Sequence, residues 1–234
     1  MPDPLLLAVA QPACVAHDVA ANATAHAALV RVAGARVVVF PELSLTGYEL
    51  DAKTVDVGDP RLDELVQACA ASGTVALAGA PVTGEAGSVH IGVLAVDREG
   101  VRVAYRKMFP GGAECERFAP GREPGVVEVD GWRLGLAVCR DTGVPEHAAV
   151  TAAQGVHAYV AGVVKHAEDV ALVEDRARRV ASDHHLWVAT ASFAGATGGG
   201  FGSAAGCSGV WAPDGREVAR SGPEVGAVAL ATLA

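Results

Sequence analysis

Apolar residues along the chain follow two spacings, one typical of β-strands and one typical of helices. Short runs of Val, Ala and Leu, such as residues 5–11 and 36–40, are bounded by Gly, Pro or charged residues and predict buried strands. Longer segments with apolar residues three and four apart, such as residues 17–35, predict helices that end near a glycine. The alternation of the two patterns predicts an α/β protein.

The order of the elements narrows the architecture. Strands are predicted at residues 5–11, 36–40, 74–82, 90–97, 101–107, 125–131, 132–141, 156–164, 186–192, 206–213 and 226–233, and helices at 17–35, 60–73, 145–155 and 168–185. Two successive strand pairs are joined by short turns typical of hairpins, which a plain doubly wound sheet would not contain. We therefore expect two packed sheets with helices outside, in one domain spanning residues 1–234.

Composition and charge exclude several classes of protein. The chain is 51% hydrophobic with a mean hydropathy of +0.31, yet it has no apolar run long enough to span a membrane. A net charge of −9 argues against nucleic acid and anionic membranes as partners. The N-terminus lacks the basic region and cleavage site of a signal peptide.

The cysteines are scattered along the chain and form no CxxC pair. They are Cys14, Cys69, Cys115, Cys139 and Cys207. We expect a cytoplasmic protein without disulfides.

Three residues with chemical potential each lie at the end of a predicted strand. Glu42 follows residues 36–40 directly after Pro41, Lys107 ends residues 101–107, and Cys139 lies where residues 132–141 approach the next helix. Taken singly, each has an ordinary explanation: a solvated carboxylate, a lysine protecting a sheet edge, and an inert core thiol. Together at one sheet edge, a thiol, a carboxylate and an ammonium can carry out nucleophilic attack on a polarised carbon.

The segments around these residues resemble a known family. "FPELSLTGYEL" surrounds Glu42, "YRKMFP" surrounds Lys107 and "LGLAVCRDTGVPE" surrounds Cys139, in the order typical of the nitrilase (carbon–nitrogen hydrolase) superfamily. The resemblance extends from "LLLAVAQP" to "PDGREVARSG" and is closest to amidase-like members. It implies a four-layer α-β-β-α sandwich, a Glu–Lys–Cys triad, no cofactor or metal, and a homodimer or higher homo-oligomer.

The resemblance also implies roles for individual residues. Cys139 would be the nucleophile and Glu42 its general base, while Lys107 and the backbone N–H of Arg140 would hold the oxyanion. A second glutamate of the family precedes an F-x-P-G element, and in "ECERFAPG" that position falls on Glu114 rather than Glu116. Glu114 would orient Lys107 or the attacking water.

The sequence departs from the family pattern around the expected pocket. Phe109 stands where a histidine is usual, Arg140 where an aromatic residue is common, residues 144–146 read Val-Pro-Glu instead of Phe-Pro-Glu, and Ser192 begins a segment that is often Ala-Asn-x-x-Gly. The C-terminus is also short for the family. The triad is unaffected by these changes, but the substrate is left open.

Substrate-binding residues are therefore expected near the departures. We expect Tyr48, Phe109 and Arg140 to contact the substrate, with Arg140 or Arg117 holding a carboxylate if the substrate has one. The partial glycine fingerprint in residues 198–206 does not follow the first strand, so it predicts a loop near the pocket mouth rather than a nucleotide site.

The function predicted from the sequence is hydrolysis of a small linear amide through a thioester, with release of ammonia. Two alternatives remain open. One is a nitrilase or carbamoyl-amide hydrolase that uses the same three residues. The other is a catalytically silent binding or regulatory protein with the same fold, although a binding module has no need of an intact triad.

Overall fold

The computed structural model describes residues 2–234 and contains, within them, fourteen strands and four α-helices. The strands are β1 (Leu5–Ala10), β2 (Val37–Val39), β3 (Val75–Thr83), β4 (Val89–Asp97), β5 (Gly100–Arg106), β6 (Gly125–Val129), β7 (Trp132–Val138), β8 (Ala158–Val163), β9 (Trp187–Ser192), β10 (Ala194–Gly195), β11 (Ala204–Ala205), β12 (Gly209–Trp211), β13 (Glu217–Arg220) and β14 (Val228–Leu233). The helices are α1 (Val19–Ala33), α2 (Asp63–Ser72), α3 (Pro145–Ala152) and α4 (Val170–His184).

The strands form two six-stranded sheets and one small hairpin. The first sheet has the order β14-β1-β2-β3-β4-β5, and the second has the order β13-β12-β9-β8-β7-β6. In each sheet three central strands run parallel, β1-β2-β3 and β7-β8-β9, and antiparallel strands flank them. Strands β10 and β11 pair only with each other. The parallel strands require helical crossovers, while the flanking strands are joined by turns.

Alternation along the strands divides the interior into three apolar layers. In β1, Leu5, Leu7 and Val9 face the second sheet, whereas Ala8 and Ala10 face the helical side. One apolar cluster fills the space between the sheets, a second lies beneath α1 and α2, and a third beneath α3 and α4. Both faces of each sheet are thus covered, as parallel strands require. The four-layer α-β-β-α sandwich expected from the sequence is confirmed.

Helix boundaries follow the signals in the sequence. The Asp18 side chain accepts a hydrogen bond from the N–H of Ala21 at 3.0 Å and caps α1. Helices α1 and α2 end at Gly34 and Gly73, which adopt left-handed conformations with φ of 56° and 67°. Helix α3 begins at Pro145. Proline lacks a backbone N–H, but an N–H at the first position of a helix has no intrahelical acceptor, so no hydrogen bond is lost.

Three differences from the sequence-based elements have physical causes. The predicted strand at 132–141 ends at Val138, because Cys139 has a φ of 41° and residues 139–143 form a 3-10 turn. Strand β13 was not predicted, since its half-exposed residues lack clear alternation. The β10–β11 hairpin lies partly in the predicted loop, and two-residue strands are too short to show an alternating pattern of apolar residues.

Among residues 2–234, no helix has the length and apolar character needed to cross a membrane.

Candidate active site

Glu42 and Lys107 follow β2 and β5 of the first sheet, whereas Cys139 follows β7 of the second, so these strand ends belong to two sheets and not to the single sheet edge expected from the sequence. A second glutamate completes the polar centre around the lysine. The Lys107 ammonium donates to Glu42 Oε1 at 2.6 Å and to the two carboxylate oxygens of Glu114 at 2.9 and 2.7 Å. All three side chains are buried, with exposures of 1% for Lys107, 1% for Glu42 and 5% for Glu114. A buried ammonium between two carboxylates satisfies its three donors, as a charge in a low-dielectric interior must.

The backbone at Glu42 passes between glycines of the two sheets. A Cβ on Gly162, in β8, would lie 2.6 Å from the carbonyl oxygen of Phe40 and 2.8 Å from the nitrogen of Glu42. A Cβ on Gly79, in β3, would lie 2.6 Å from the carbonyl oxygen of Pro41 and 2.2 Å from the nitrogen of Leu43. Only glycine permits these approaches. The two glycines therefore fix where the Glu42 carboxylate enters the site.

Cys139 occupies a sharp turn at the end of β7. Its φ of 41° is in the left-handed region, which is unfavourable for a residue with a side chain, and it starts the 3-10 turn of residues 139–143. The thiol lies 3.6 Å from the carbonyl oxygen of Val164, and the Thr142 hydroxyl donates to the carbonyl oxygen of Cys139 at 2.8 Å. Cys139 as a whole residue is partly exposed at this turn, whereas Glu42 and Lys107 are fully covered.

Burial and the neighbouring charges set different proton affinities in this cluster. Burial raises the pKa of Glu42 to about 8, against the opposing effect of Lys107. Burial would also raise the pKa of Glu114, but Lys107 and the surrounding donors hold it below its usual value. The carboxylates outweigh burial at Lys107, so its pKa is raised and it stays charged. Burial raises the pKa of the Cys139 thiol to about 12, which means that the thiol needs a base to react.

Glu114 is held by donors that Glu42 lacks. The Tyr48 hydroxyl donates to Glu114 Oε1 at 2.9 Å, and the backbone N–H of Gly111 donates to Oε2 at 2.8 Å. Glu42 Oε2, by contrast, is buried and has no hydrogen-bond partner among the described residues. One carboxylate is thus fixed as an anion, and the other keeps an oxygen free to exchange a proton.

The expected substrate-binding residues take different positions. Tyr48 is buried beside Glu114, with its ring edge-on to those of Phe193 and Phe201. The Phe109 ring lies edge-on to His147, with ring centroids 6.1 Å apart. Arg140 is exposed, and its side chain lies along Gly111.

Arg117, the alternative anion-binding residue, already has backbone partners. Its guanidinium donates to the carbonyl oxygens of Leu50 and Ala52. The Arg117 guanidinium, which was expected to hold a substrate carboxylate, therefore donates to the protein backbone instead.

A buried polar network behind the site was not predicted from the sequence. Asp141 accepts hydrogen bonds from Val138 N at 2.9 Å, from Phe109 N at 3.0 Å and from the Tyr105 hydroxyl at 2.8 Å. Asp141 thus joins the end of β7 to the segment after Lys107. His147 extends the network, with its ring nitrogens 2.8 Å from the hydroxyls of Tyr105 and Tyr159. The indication of this network in the sequence was Asp141 itself, an aspartate two residues after Cys139.

Within the described residues, one group has metal-ligand spacing, and it includes none of Glu42, Lys107 and Cys139. Ligand atoms of His17, Glu49 and Asp51 lie within 4.8 Å of one another at an exposed part of the surface. His17 lies 3.6 Å from Asp51, a contact that an ordinary surface ion pair explains. None of these residues contacts Glu42, Lys107 or Cys139 through a hydrogen bond or ion pair.

Solved structures of the nitrilase superfamily have this fold. Nit3 of Saccharomyces cerevisiae, a member of branch 10 of that superfamily, superposes with a TM-score of 0.86 at 21% identity, covering 98% of this chain and 90% of its own. An amidase from Nesterenkonia sp. superposes with a TM-score of 0.83 at 22% identity, covering 98% and 90%. XC1258 of Xanthomonas campestris, a CN-hydrolase superfamily protein, gives 0.85 at 22% identity, covering 99% and 91%. The chain thus has the nitrilase-superfamily fold.

Sequence comparison identifies the family. A model of the carbon-nitrogen hydrolase family matches residues 6–234, and the chain therefore belongs to the carbon-nitrogen hydrolase family. A relative from Pseudomonas protegens, described as a hydrolase in the pqqF 5′ region, is 30% identical in an alignment 191 residues long that covers 76% of this chain. The chain spans 66% of the length of that relative.

Proposed function

We propose that the protein is a cysteine-dependent amidohydrolase that releases ammonia from a small linear amide. The observation that carries this proposal is the Lys107 ammonium held between Glu42 and Glu114 at strand ends of the first sheet, while Cys139 leaves β7 of the second sheet in a left-handed turn. These groups supply a nucleophile, a base and a fixed positive charge without any further component. Membership of the carbon-nitrogen hydrolase family agrees with hydrolysis of a carbon–nitrogen bond.

In the first half-reaction Cys139 is acylated. Glu42, as a carboxylate, takes the thiol proton, and the sulfur forms a bond to the amide carbon while the carbonyl π electrons move to oxygen. The Lys107 ammonium and the backbone N–H of Arg140 stabilise that oxyanion. Glu42 then donates its proton to the amide nitrogen, the carbon–nitrogen bond breaks, and ammonia leaves a thioester on Cys139.

In the second half-reaction water replaces ammonia. Glu42 takes a proton from water, whose oxygen bonds to the thioester carbon, and the same oxyanion is formed. The carbon–sulfur bond then breaks, the thiolate regains its proton through Glu42, and the carboxylic acid leaves. Glu114 stays ionised throughout and holds Lys107 in position, which its two contacts to the ammonium support. The unpartnered Oε2 of Glu42 suits it to both proton transfers.

Ammonia release from matched amides and nitriles tests the proposal. We expect release from small linear amides, loss of release in Cys139→Ala, and unchanged release in Cys115→Ala, because Cys115 is exposed. Release from nitriles but from no amide would replace the amidase with a nitrilase. Absence of release from every compound would contradict the proposed hydrolysis and favour a silent binding protein.

Alkylation identifies the reactive thiol independently of the substrate. A Glu-to-Gln mutant of the amidase from Nesterenkonia sp. AN1 has been solved with acrylamide added to its active-site cysteine, so acrylamide is a suitable probe. Mass spectrometry should locate the first adduct on Cys139 in this protein. Modification of Cys115 before Cys139 would contradict the assignment of the nucleophile.

A further inference from the structure

A second buried lysine lies beside the site and takes no part in the proposed chemistry. Lys165 follows the end of β8, and the carbonyl oxygen of the preceding residue, Val164, lies 3.6 Å from the Cys139 thiol. Strands β7 and β8 are parallel neighbours, with Val138 opposite Gly162. Lys165 therefore belongs to the same sheet edge as the nucleophile.

The residues around Lys165 connect it to the other side of the site. His166 stacks on Phe201 with centroids 4.2 Å apart, and Phe201 meets the Tyr48 ring edge-on at 5.5 Å. Tyr48 in turn donates to Glu114. The segment of residues 164–166 thus borders the triad through Val164 at one end and through this aromatic contact at the other.

The Lys165 side chain is buried with most of its hydrogen-bonding capacity unused. It is 2% exposed, and its ammonium donates to one acceptor, the carbonyl oxygen of Cys207, at 3.0 Å. An ammonium carries three donors, so two remain without an acceptor among the described residues. Among residues 2–234, no carboxylate oxygen lies within the 4.0 Å of an ion pair with this nitrogen.

The two buried lysines of the site therefore differ sharply. Lys107 contacts two carboxylates and makes three hydrogen bonds to them, whereas Lys165 contacts none. Glu174, the carboxylate whose charge acts on the pKa of Lys165, is already paired with Arg220 at 2.5 Å and with Arg178 at 3.3 Å. Burial lowers the pKa of Lys165 to about 8, which is the effect of a cation without a partner.

A buried cation without a counter-ion is costly, and an anion from outside the chain would remove that cost. If Lys165 served only to donate a hydrogen bond to the Cys207 carbonyl oxygen, a neutral side chain with one donor could do the same without burying a charge. We propose that Lys165 binds a carboxylate at the far end of the substrate, so that the preferred substrate is a linear amide with an anionic terminus. This inference rests on the proposed function, and it assigns the anion to Lys165 rather than to Arg140 or Arg117.

Two linear amides that differ in charge at the end remote from the amide test the inference. Succinamate and butyramide differ in having a carboxylate or a methyl group at the end remote from the amide. We expect the ratio of kcat/KM for succinamate over butyramide to fall at least about tenfold in Lys165→Met, as loss of a charge-assisted contact predicts. Lys53→Met, the same change at an exposed lysine, should leave the ratio unchanged.

The variants separate this inference from its rivals. Arg140→Ala should not alter the ratio, and Lys165→Arg should retain part of the preference. An unchanged ratio in Lys165→Met, or a fall in the ratio with Arg140→Ala instead, would overturn the inference. Thermal unfolding of each variant checks that it is folded. If Lys165→Met does not fold, kcat/KM of the unaltered protein for the two amides decides, and a value for succinamate no higher than that for butyramide would overturn the inference.

Binding measurements distinguish failure of this inference from failure of the proposed function. Calorimetry with Cys139→Ala measures succinamate binding without turnover, and the double variant Cys139→Ala/Lys165→Met should bind it at least about tenfold more weakly. Turnover of butyramide, which has no anion, tests hydrolysis alone. Equal succinamate affinity in the two variants would overturn the anion site even if amides are hydrolysed.

Discussion

At the scale of single residues, the site depends on two glutamates that share one ammonium but differ in their other partners. Glu114 receives hydrogen bonds from Lys107, Tyr48 and Gly111, while Glu42 receives one from Lys107 and has an oxygen without a partner. Groups whose surroundings push their pKa values apart divide into a fixed charge and a proton carrier. This asymmetry underlies the roles proposed for the two glutamates.

Replacing Glu114 should therefore affect the chemistry through Lys107. In Glu114→Gln the ammonium loses one of its two carboxylates and pairs more strongly with Glu42, which becomes a weaker base. We expect kcat to fall by roughly 10²–10³, the effect typical of losing one preorganised electrostatic group. Steady-state kinetics measures the fall, and Glu116→Gln, at an exposed neighbour, is the matched control. Equal kinetics in the two variants would exclude a role for Glu114.

The pH dependence of hydrolysis follows from Glu42. Burial raises the pKa of this carboxyl to about 8, and only its ionised form can accept the thiol proton. We expect kcat/KM to rise with pH up to about 8 and then level off, because deprotonation of Glu42 activates the free enzyme. A pH series of kcat/KM for butyramide, which has no anion for Lys165 to bind, measures this limb. A constant value between neutral and alkaline pH would argue against Glu42 as the base.

At the scale of elements, strand ends carry the chemistry, but their positions depend on close contacts between sheets. Gly79 of β3 and Gly162 of β8 bring both sheets against the backbone at Glu42. Asp141 joins the end of β7 to Phe109, two residues after Lys107. The ends of β2, β5 and β7 are thus connected by backbone contacts as well as by the contact of Lys107 with Glu42.

A methyl group at Gly162 should displace Glu42. Because the Cβ of Gly162→Ala would lie 2.6 Å from the carbonyl oxygen of Phe40, the backbone must shift. A displacement of about 1 Å can reduce kcat about 10²-fold, and we expect a loss of this order. The control is Gly202→Ala, since nothing lies within 4 Å of a Cβ at Gly202. Similar kinetics for both variants would show that the close approach does not position the base.

At the scale of the whole molecule, one buried amide joins the two sheets. Gln11 follows β1, and its Oε1 accepts from the hydroxyls of Ser208 and Ser221 at 2.8 and 2.5 Å. Its Nε2 donates to the carbonyl oxygens of Gly222 and Glu224 at 3.2 and 2.7 Å. These partners flank β12 and β13 of the second sheet, so the hydrogen bonds of the Gln11 side chain connect the two sheets.

Loss of the Gln11 hydrogen bonds should reduce the stability of the protein. Gln11→Leu keeps similar volume but leaves buried hydroxyls and carbonyls without their partner, and we expect the free energy of unfolding to fall by about 2–4 kcal/mol. Urea unfolding followed by circular dichroism measures the change. Gln67→Leu, at an exposed position of α2, should stay within about 0.5 kcal/mol. A comparable small effect at Gln11 would contradict its role between the sheets.

The sequence by itself determined the strands, the helices and the three strand ends, because these depend on local apolar spacing and on Gly and Pro at the boundaries. It also indicated the family, since the motifs around Glu42, Lys107 and Cys139 occur in order. The family resemblance singled out Glu114, and the structure brings it to Lys107. The short hairpin β10–β11 and the half-exposed β13 carry no period and were missed.

Only the tertiary structure decided which side chains meet. Lys107 and Glu42 are 65 residues apart and belong to strands that are not neighbours, so no local pattern records their contact. The same holds for Asp141 with Phe109 and for the glycines around Glu42. Nor does the sequence distinguish Lys165, which has no carboxylate partner in the described chain, from Lys107, which has two. Burial and pairing of a charge depend on the register and packing of both sheets, and these are set by the whole chain.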